Sequence, residues 1–164
     1  MIPVNEIDLI LVDDNPNDVE LLLRALRSFN LANRVQVARD GKEALDFIFE
    51  IELNSDGRLL HALKLILLDL KMPRVGGLEV LHELKMDPRT RDIPVVMLSS
   101  SQDPRDIEAC YRLGATGFVE KPFNFEQFAK AVAEAGLSWL VVNKVSIQPS
   151  VAGVEKQMTE HLES

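Results

Sequence analysis

Short apolar runs alternate with helical patterns along most of this chain, and this alternation limits the fold more than any other feature of the sequence. Five runs are apolar enough to form strands, at 7–12, 34–38, 63–68, 93–98 and 117–120. Between them, apolar residues recur with the period of a helix, as Val19, Leu22 and Leu26 do after the first run. We therefore expect an α/β fold, with helices wound on both faces of a five-stranded parallel sheet.

Individual segments allow more detailed predictions. The run 63–68 is almost wholly apolar and should be a central strand, whereas 34–38 alternates apolar with polar residues and should lie at an edge. The fourth predicted helix should turn Ile107, Cys110 and Tyr111 toward the core.

The length of 164 residues fits one domain, and a hydrophobic fraction of 46% is enough to form a core. We assign residues 1–145 to this domain, with a loop at 53–60 and a last helix from about 125 to 142. Residues 146–164 lose periodicity and turn polar, which predicts a largely disordered tail.

Charge and cysteine content exclude several classes of protein. A net charge of -8 and a pI near 4.9 argue against nucleic-acid binding, which requires a basic face. The single cysteine, Cys110, allows neither an intrachain disulfide nor a two-cysteine redox motif.

The first residues lack the basic region of a signal peptide, and no apolar stretch approaches bilayer length. We expect a cytoplasmic protein that does not bind membranes.

Polar residues whose side chains could bind a ligand or react follow four of the five predicted strands. Asp13 and Asp14 follow the first, Asp69 the third, Ser99 the fourth and Lys121 the fifth. In a parallel sheet these positions are all carboxyl ends, so the side chains should converge on one crevice. A cluster of acids repels itself unless a cation lies in it, which indicates a divalent metal with oxygen ligands.

This combination of groups suits phosphoryl transfer, in which catalysis is largely positioning and charge neutralisation. Mg²⁺ (or Mn²⁺) would bind the acids together with phosphate oxygens. Lys121 would neutralise a second phosphoryl oxygen, and Ser99 could hydrogen-bond a third. Asp69 is the candidate acceptor, because a carboxylate can form an acyl phosphate.

Five motifs in this order resemble the receiver domain of two-component response regulators, over roughly residues 7–142. They are Asp13-Asp14, Leu67-Leu68-Asp69-Leu70-Lys71-Met72-Pro73 with Gly76-Gly77, Val95-Val96-Met97-Leu98-Ser99-Ser100, Gly114-Ala115, and Lys121-Pro122-Phe123. The resemblance implies a flavodoxin-like fold with strand order 2-1-3-4-5. It also implies a signalling phosphoacceptor in place of an enzyme, one that assists only its own phosphorylation by a histidine kinase.

The resemblance assigns a role to each candidate residue. Asp69 would be the phosphoacceptor, and Asp14 and Asp69 would ligate the metal directly. The main-chain carbonyl of Lys71 would complete the protein ligands, and Asp13 would act through metal-bound water.

Three further residues match positions that the receiver family uses: two switch positions and one lysine position. Ser99 is at the hydroxyl switch position, where many relatives have threonine, and Lys121 is at the family's lysine position. Phe118 is at the switch aromatic position, where tyrosine is common. Phenylalanine can still move inward but offers no hydroxyl to a partner, so the output should be a change of packing.

Three segments are similar to those of single-domain regulators paired with bacterial phytochrome histidine kinases: the long loop before the third strand, the connection Asp87-Pro88-Arg89-Thr90-Arg91-Asp92-Ile93-Pro94, and the helix start Phe123-Asn124-Phe125-Glu126-Gln127-Phe128. Trp139 and Leu140 belong to a stretch with apolar side chains around too much of the helix for one buried face. We therefore expect a homodimer through the last helix, although a helix end tucked under the domain would give the same pattern. Too few residues follow position 142 to form an output domain, so we expect a stand-alone receiver.

Two other functions share part of this pattern. A haloacid-dehalogenase-like phosphatase also uses an aspartyl nucleophile and Mg²⁺, but it needs an aspartate two residues later, where this chain has Lys71. A pseudo-receiver that binds a partner without being phosphorylated would not need the full set of acids, hydroxyl and lysine.

Overall fold

A five-stranded parallel sheet forms the centre of the structure, a computed structural model that describes residues 7–27, 35–55, 63–121 and 125–134. Its strands are β1 (Leu9–Val12), β2 (Val35–Ala38), β3 (Leu65–Asp69), β4 (Val95–Ser99) and β5 (Gly117–Glu120). Their order is β2-β1-β3-β4-β5, and every pair is parallel. The flavodoxin-like topology and the edge position of β2 are therefore confirmed.

Helices cover both faces of the sheet. They are α1 (Pro16–Arg27), α2 (Gly41–Ser55), α3 (Gly77–Met86), α4 (Pro104–Arg112) and α5 (Phe125–Glu134). Because alternate strand residues point to opposite faces, Ile66 and Leu68 pack with α2, α3 and α4, while Leu65 and Leu67 pack with α1 and α5. All five residues of β3 are buried, as expected for a central strand.

The strand register brings the carboxyl ends of the strands to one edge. Val12 pairs with Leu68, so Asp13 emerges beside Asp69. Ser99 pairs with Glu120, so Lys121 emerges beside Ser99, and its backbone N–H donates to the Ser99 carbonyl at 2.8 Å. The sheet alone thus places the candidate polar residues along one crevice.

The loop after β3 is held by close backbone approaches. The N–H of Gly77 donates to the carbonyl of Leu70 at 2.9 Å, and a Cβ at Gly77 would overlap the Asp69 carbonyl. Arg74 adopts a left-handed conformation, with φ of 66°, and its guanidinium lies 2.7 Å from a carboxylate oxygen of Asp40 at the start of α2. This loop is therefore fixed to both its own helix and a neighbouring one.

Two local predictions were wrong. Tyr111 is 46% exposed and does not face the core, whereas Cys110 is fully buried. The loop predicted at 53–60 begins later, because α2 continues to Ser55. Backbone hydrogen bonding carries the helix past Leu53, where turn-forming residues predict a break.

The predicted end of the last helix, the contact at Trp139 and Leu140, and the tail at 146–164 lie outside the described residues. Within the described ranges, the helices are too short or too polar to cross a membrane.

Candidate functional site

Three carboxylates meet at the carboxyl ends of β1 and β3. Asp13, Asp14 and Asp69 each offer an oxygen within 4.8 Å of the others. Asp13 has no exposed surface and Asp69 is almost fully buried, whereas Asp14 is exposed to solvent. Burying two carboxylates side by side is unfavourable unless positive charge lies next to them.

Lys121 supplies part of that positive charge from the end of β5. Its ammonium nitrogen lies 2.9 Å from Asp13, 3.1 Å from Asp69 and 2.8 Å from Asp18. Asp18, in the first turn of α1, was missed by the sequence analysis. A signal was available, since the first turn of a helix that follows a strand lies at the same edge as the end of that strand.

The donor set fits a divalent cation. One oxygen of Asp13 accepts a hydrogen bond from the N–H of Asn15 at 3.0 Å. The other, Oδ2, is buried and, apart from its ion pair with Lys121, has no hydrogen-bond partner among the residues that the structure describes. A buried carboxylate oxygen with spare accepting capacity, next to two further carboxylates, is the environment that Mg²⁺ and its water ligands occupy.

The pKa values of two groups depart strongly from their usual range. Burial and the nearby charge of Asp13 together raise the pKa of Asp69 to about 7, against the opposing effect of Lys121. Burial favours a lower pKa for Lys121, but its hydrogen bonding to Asp18 and the carboxylates of Asp13 and Asp69 raise it well above its usual value. The lysine is therefore always charged, and an added cation would favour the ionised form of Asp69.

A cavity of about 470 Å³ opens above these groups and is large enough for a phosphoryl group with hydrated metal. Its lining includes Asp14, Asn15, Asp18, Asp69, Lys71, Ser99, Ser100 and Lys121. Ser99 is almost fully buried, and its hydroxyl oxygen accepts from the N–H of Ser101 at 2.9 Å, which leaves the hydroxyl proton for another acceptor. The structure thus gathers the predicted acids, hydroxyl and lysine around one opening.

Phe118 lies away from this cavity. It is half-buried against the core on β5 and lines a second cavity between α4 and α5, together with Tyr111 and Gln102. Ser99 and Ser100 line the first cavity, and Ser101 and Gln102 line the second, so the loop after β4 forms a wall that borders both.

The sequence pattern of the response regulator receiver domain matches residues 9–133. The chain belongs to this family. Receiver domains are signalling proteins that histidine kinases phosphorylate.

Among solved structures, the bacteriophytochrome response regulator AtBRR is 46% identical to this receiver, with a TM-score of 0.67, over 79% of this chain and 92% of that one. The phosphorylated cyanobacterial phytochrome response regulator RcpA is 36% identical, with a TM-score of 0.63, over 82% and 94%. Response regulator Rcp1 of Synechocystis is 32% identical over 80% of this chain and 88% of its own length. Its Mn²⁺-bound crystal structure has a TM-score of 0.63, 31% identity and coverage of 81% and 94%.

The predicted family, its fold and its likeness to phytochrome-associated regulators are therefore confirmed.

Proposed function

We propose that a histidine kinase phosphorylates this receiver on Asp69 and that the phosphoryl group changes how the α4, β5 and α5 face packs. The observation that carries the proposal is the position of Asp69. Its carboxylate is buried, opens onto the cavity, and lies 3.1 Å from the ammonium of Lys121 beside two further acids. RcpA, a related receiver, has been crystallised in a phosphorylated state.

In the proposed reaction, a carboxylate oxygen of Asp69 attacks the phosphorus atom of phosphohistidine. The new oxygen–phosphorus bond forms as the nitrogen–phosphorus bond breaks, and the imidazole nitrogen leaves with the electron pair. Lys121 stabilises the charge on one phosphoryl oxygen, and the hydroxyl of Ser99 donates to another.

Mg²⁺ or Mn²⁺ would be held by Asp14, Asp69 and the carbonyl of Lys71, with Asp13 acting through water. When bound, the ion supplies positive charge that offsets the acids and the phosphoryl oxygens. The buried Oδ2 of Asp13, which is paired with Lys121 but accepts no hydrogen bond from the described residues, supports this assignment, as does the Mn²⁺ in the structure of Rcp1.

The proposed output follows from the wall between the two cavities. When Ser99 donates to the phosphoryl group, its loop shifts, and Phe118 gains room to move inward. The output would be a homodimer through the last helix, including Trp139 and Leu140, or docking of a partner. A bacterial phytochrome is the proposed kinase because AtBRR and RcpA are named as phytochrome response regulators.

We also propose residues 1–145 as the receiver, 146–164 as a tail, and the cytoplasm as the location.

Phosphorylation is tested by incubating the protein with Mg²⁺ and acetyl phosphate and measuring its intact mass. The wild type should gain one phosphoryl group, and Asp69→Asn should gain none. Asp46→Asn is a matched control, since Asp46 is a partly exposed aspartate on α2 that pairs with Lys42 away from the cavity. A wild type that gains no mass, or an Asp69→Asn variant that does, would refute the proposal.

A further inference from the structure

The ammonium of Lys121 has more carboxylate partners than its expected role requires. Its nitrogen lies within 3.1 Å of carboxylate oxygens of Asp13, Asp18 and Asp69, and an ammonium has three N–H donors. Among the described residues, only the contact with Asp18 has the geometry of a hydrogen bond, at 2.8 Å. The partner that fixes the direction of the lysine is thus a residue that the metal and phosphoryl roles leave unused.

Asp18 is itself well fixed. The side-chain oxygen of Asn15 accepts from the N–H groups of Asn17 at 2.9 Å and Asp18 at 3.3 Å, which orders the first turn of α1. Val19 and Leu22, the next residues on the buried face, anchor α1 to the sheet. The carboxylate of Asp18 is 27% exposed, so it is held by the helix and still reached by solvent.

The carboxylates of Asp13, Asp18 and Asp69 should respond differently to phosphorylation. The inference that follows rests on the function proposed above. An oxygen of Asp69 would become bonded to phosphorus and lose its full charge. Asp13 would bind metal-bound water. Asp18 takes no part in either event, so its bond to Lys121 can persist throughout the reaction.

We propose that Asp18 is a positioning residue that holds the Lys121 ammonium in place, so that the N–H facing Asp69 is directed at the incoming phosphoryl group. A lysine side chain is a flexible four-carbon stem. Anchoring its ammonium beforehand avoids the entropy cost of ordering that stem during the reaction. Lys121 and Asp18 also line one small cleft, together with Leu21, Leu22 and Leu98. The ammonium is therefore held by Asp18 before the substrate arrives.

The opposite role is also testable. If Asp18 competed with the phosphoryl group for the lysine, its removal would free Lys121 and accelerate phosphorylation. The geometry argues against this, since Asp18 occupies one donor and leaves the others toward Asp13 and Asp69.

The test compares Asp18→Ala, Asp18→Asn and a control, Glu20→Gln. Glu20 is an exposed acid on the same helix that lies 3.9 Å from Arg24, so its replacement removes one charge without touching Lys121. Phosphorylation by acetyl phosphate is followed at varied concentrations of donor and Mg²⁺. Asp18→Ala should lower the maximal rate on the order of tenfold, with the half-saturating Mg²⁺ concentration unchanged. Asp18→Asn should recover part of the rate, because its amide oxygen still accepts a hydrogen bond, and Glu20→Gln should match the wild type.

A second readout does not depend on phosphorylation. In ¹⁵N NMR spectra of the metal-free protein, the anchored ammonium of Lys121 should give a signal protected from exchange with water. Asp18→Ala should lose that signal, and Glu20→Gln should keep it. An unchanged or faster rate in Asp18→Ala, or an unchanged ammonium signal, would overturn the inference. A wild type that is not phosphorylated would refute the proposed function, while the NMR signal would still decide whether Asp18 anchors Lys121.

Discussion

Replacing Asp69 by asparagine should stabilise the metal-free protein at alkaline pH. Burial and the charge of Asp13 raise the pKa of Asp69 from an ordinary value of 3.8 to about 7, even with Lys121 opposing them. The folded protein therefore holds this proton more tightly than the unfolded chain does. No stability is lost to this group below about pH 4, and the loss grows as the pH rises through the window up to about 7.

The size of the effect follows from the shift. A rise from 3.8 to about 7 corresponds to about 4 kcal/mol of folding free energy lost above pH 7, at about 1.4 kcal/mol per unit. Asparagine carries no charge at any pH. Asp69→Asn should therefore be more stable than the wild type by about 2 to 4 kcal/mol at pH 8, and the difference should fall to near zero at pH 4.

Urea unfolding between pH 4 and pH 8, in the presence of a metal chelator, measures this difference. Asp46→Asn serves as the control, since breaking its exposed ion pair with Lys42 should change stability by less than about 1 kcal/mol at any pH. If Asp69→Asn is no more stable than the wild type at pH 8, or if the difference does not depend on pH, then Asp69 is not destabilised by burial beside Asp13 and the electrostatic account is wrong.

Three further predictions use other parts of the structure. Saturating Mg²⁺ should raise the unfolding free energy of the wild type by about 3 kcal/mol at a hundred times its dissociation constant, and should raise that of Asp14→Asn much less; equal stabilisation in calorimetry would contradict the ligand assignment. Gly77→Ala should lower stability by about 2 kcal/mol or more, because a Cβ there overlaps the Asp69 carbonyl, whereas a Cβ at Gly76 would make only ordinary contacts at 4.0 Å, so Gly76→Ala should melt within a few degrees of the wild type. Cys110 should resist thiol reagents in the native state at pH 8, since burial and the charge of Asp106 raise its pKa to about 11, and rapid labelling without unfolding would contradict its buried position.

Much of the fold could be predicted because the pattern of apolar and polar residues in a strand indicates whether that strand is central or at an edge of the sheet. The wholly apolar run that became β3 predicts a central strand, and the mixed run that became β2 predicts an edge. The polar residues that follow the strands could be placed on one crevice for the same reason, since parallel strands all end on the same side.

The remaining features depend on side-chain direction in three dimensions. Asp18 falls at a surface position of an amphipathic helix, and only the reach of Lys121 from β5 makes it part of the site. Tyr111 follows the buried Cys110 and was assigned to the same face, but one residue is a 100° turn around a helix and places it toward solvent. Periodicity locates a helix face only to within about one residue, which accounts for Tyr111, whereas the role of Asp18 depends on a contact between elements distant in the sequence.

The most direct test of the central claim is to locate the phosphoryl group. Reduction of the phosphorylated protein with borohydride converts an aspartyl phosphate to homoserine, and peptide mass spectrometry then identifies the converted position. We predict homoserine at position 69 in the wild type and none in protein that was not phosphorylated. Conversion at Asp13 or Asp14, or a phosphoryl group found on Ser99 or His82, would contradict the account.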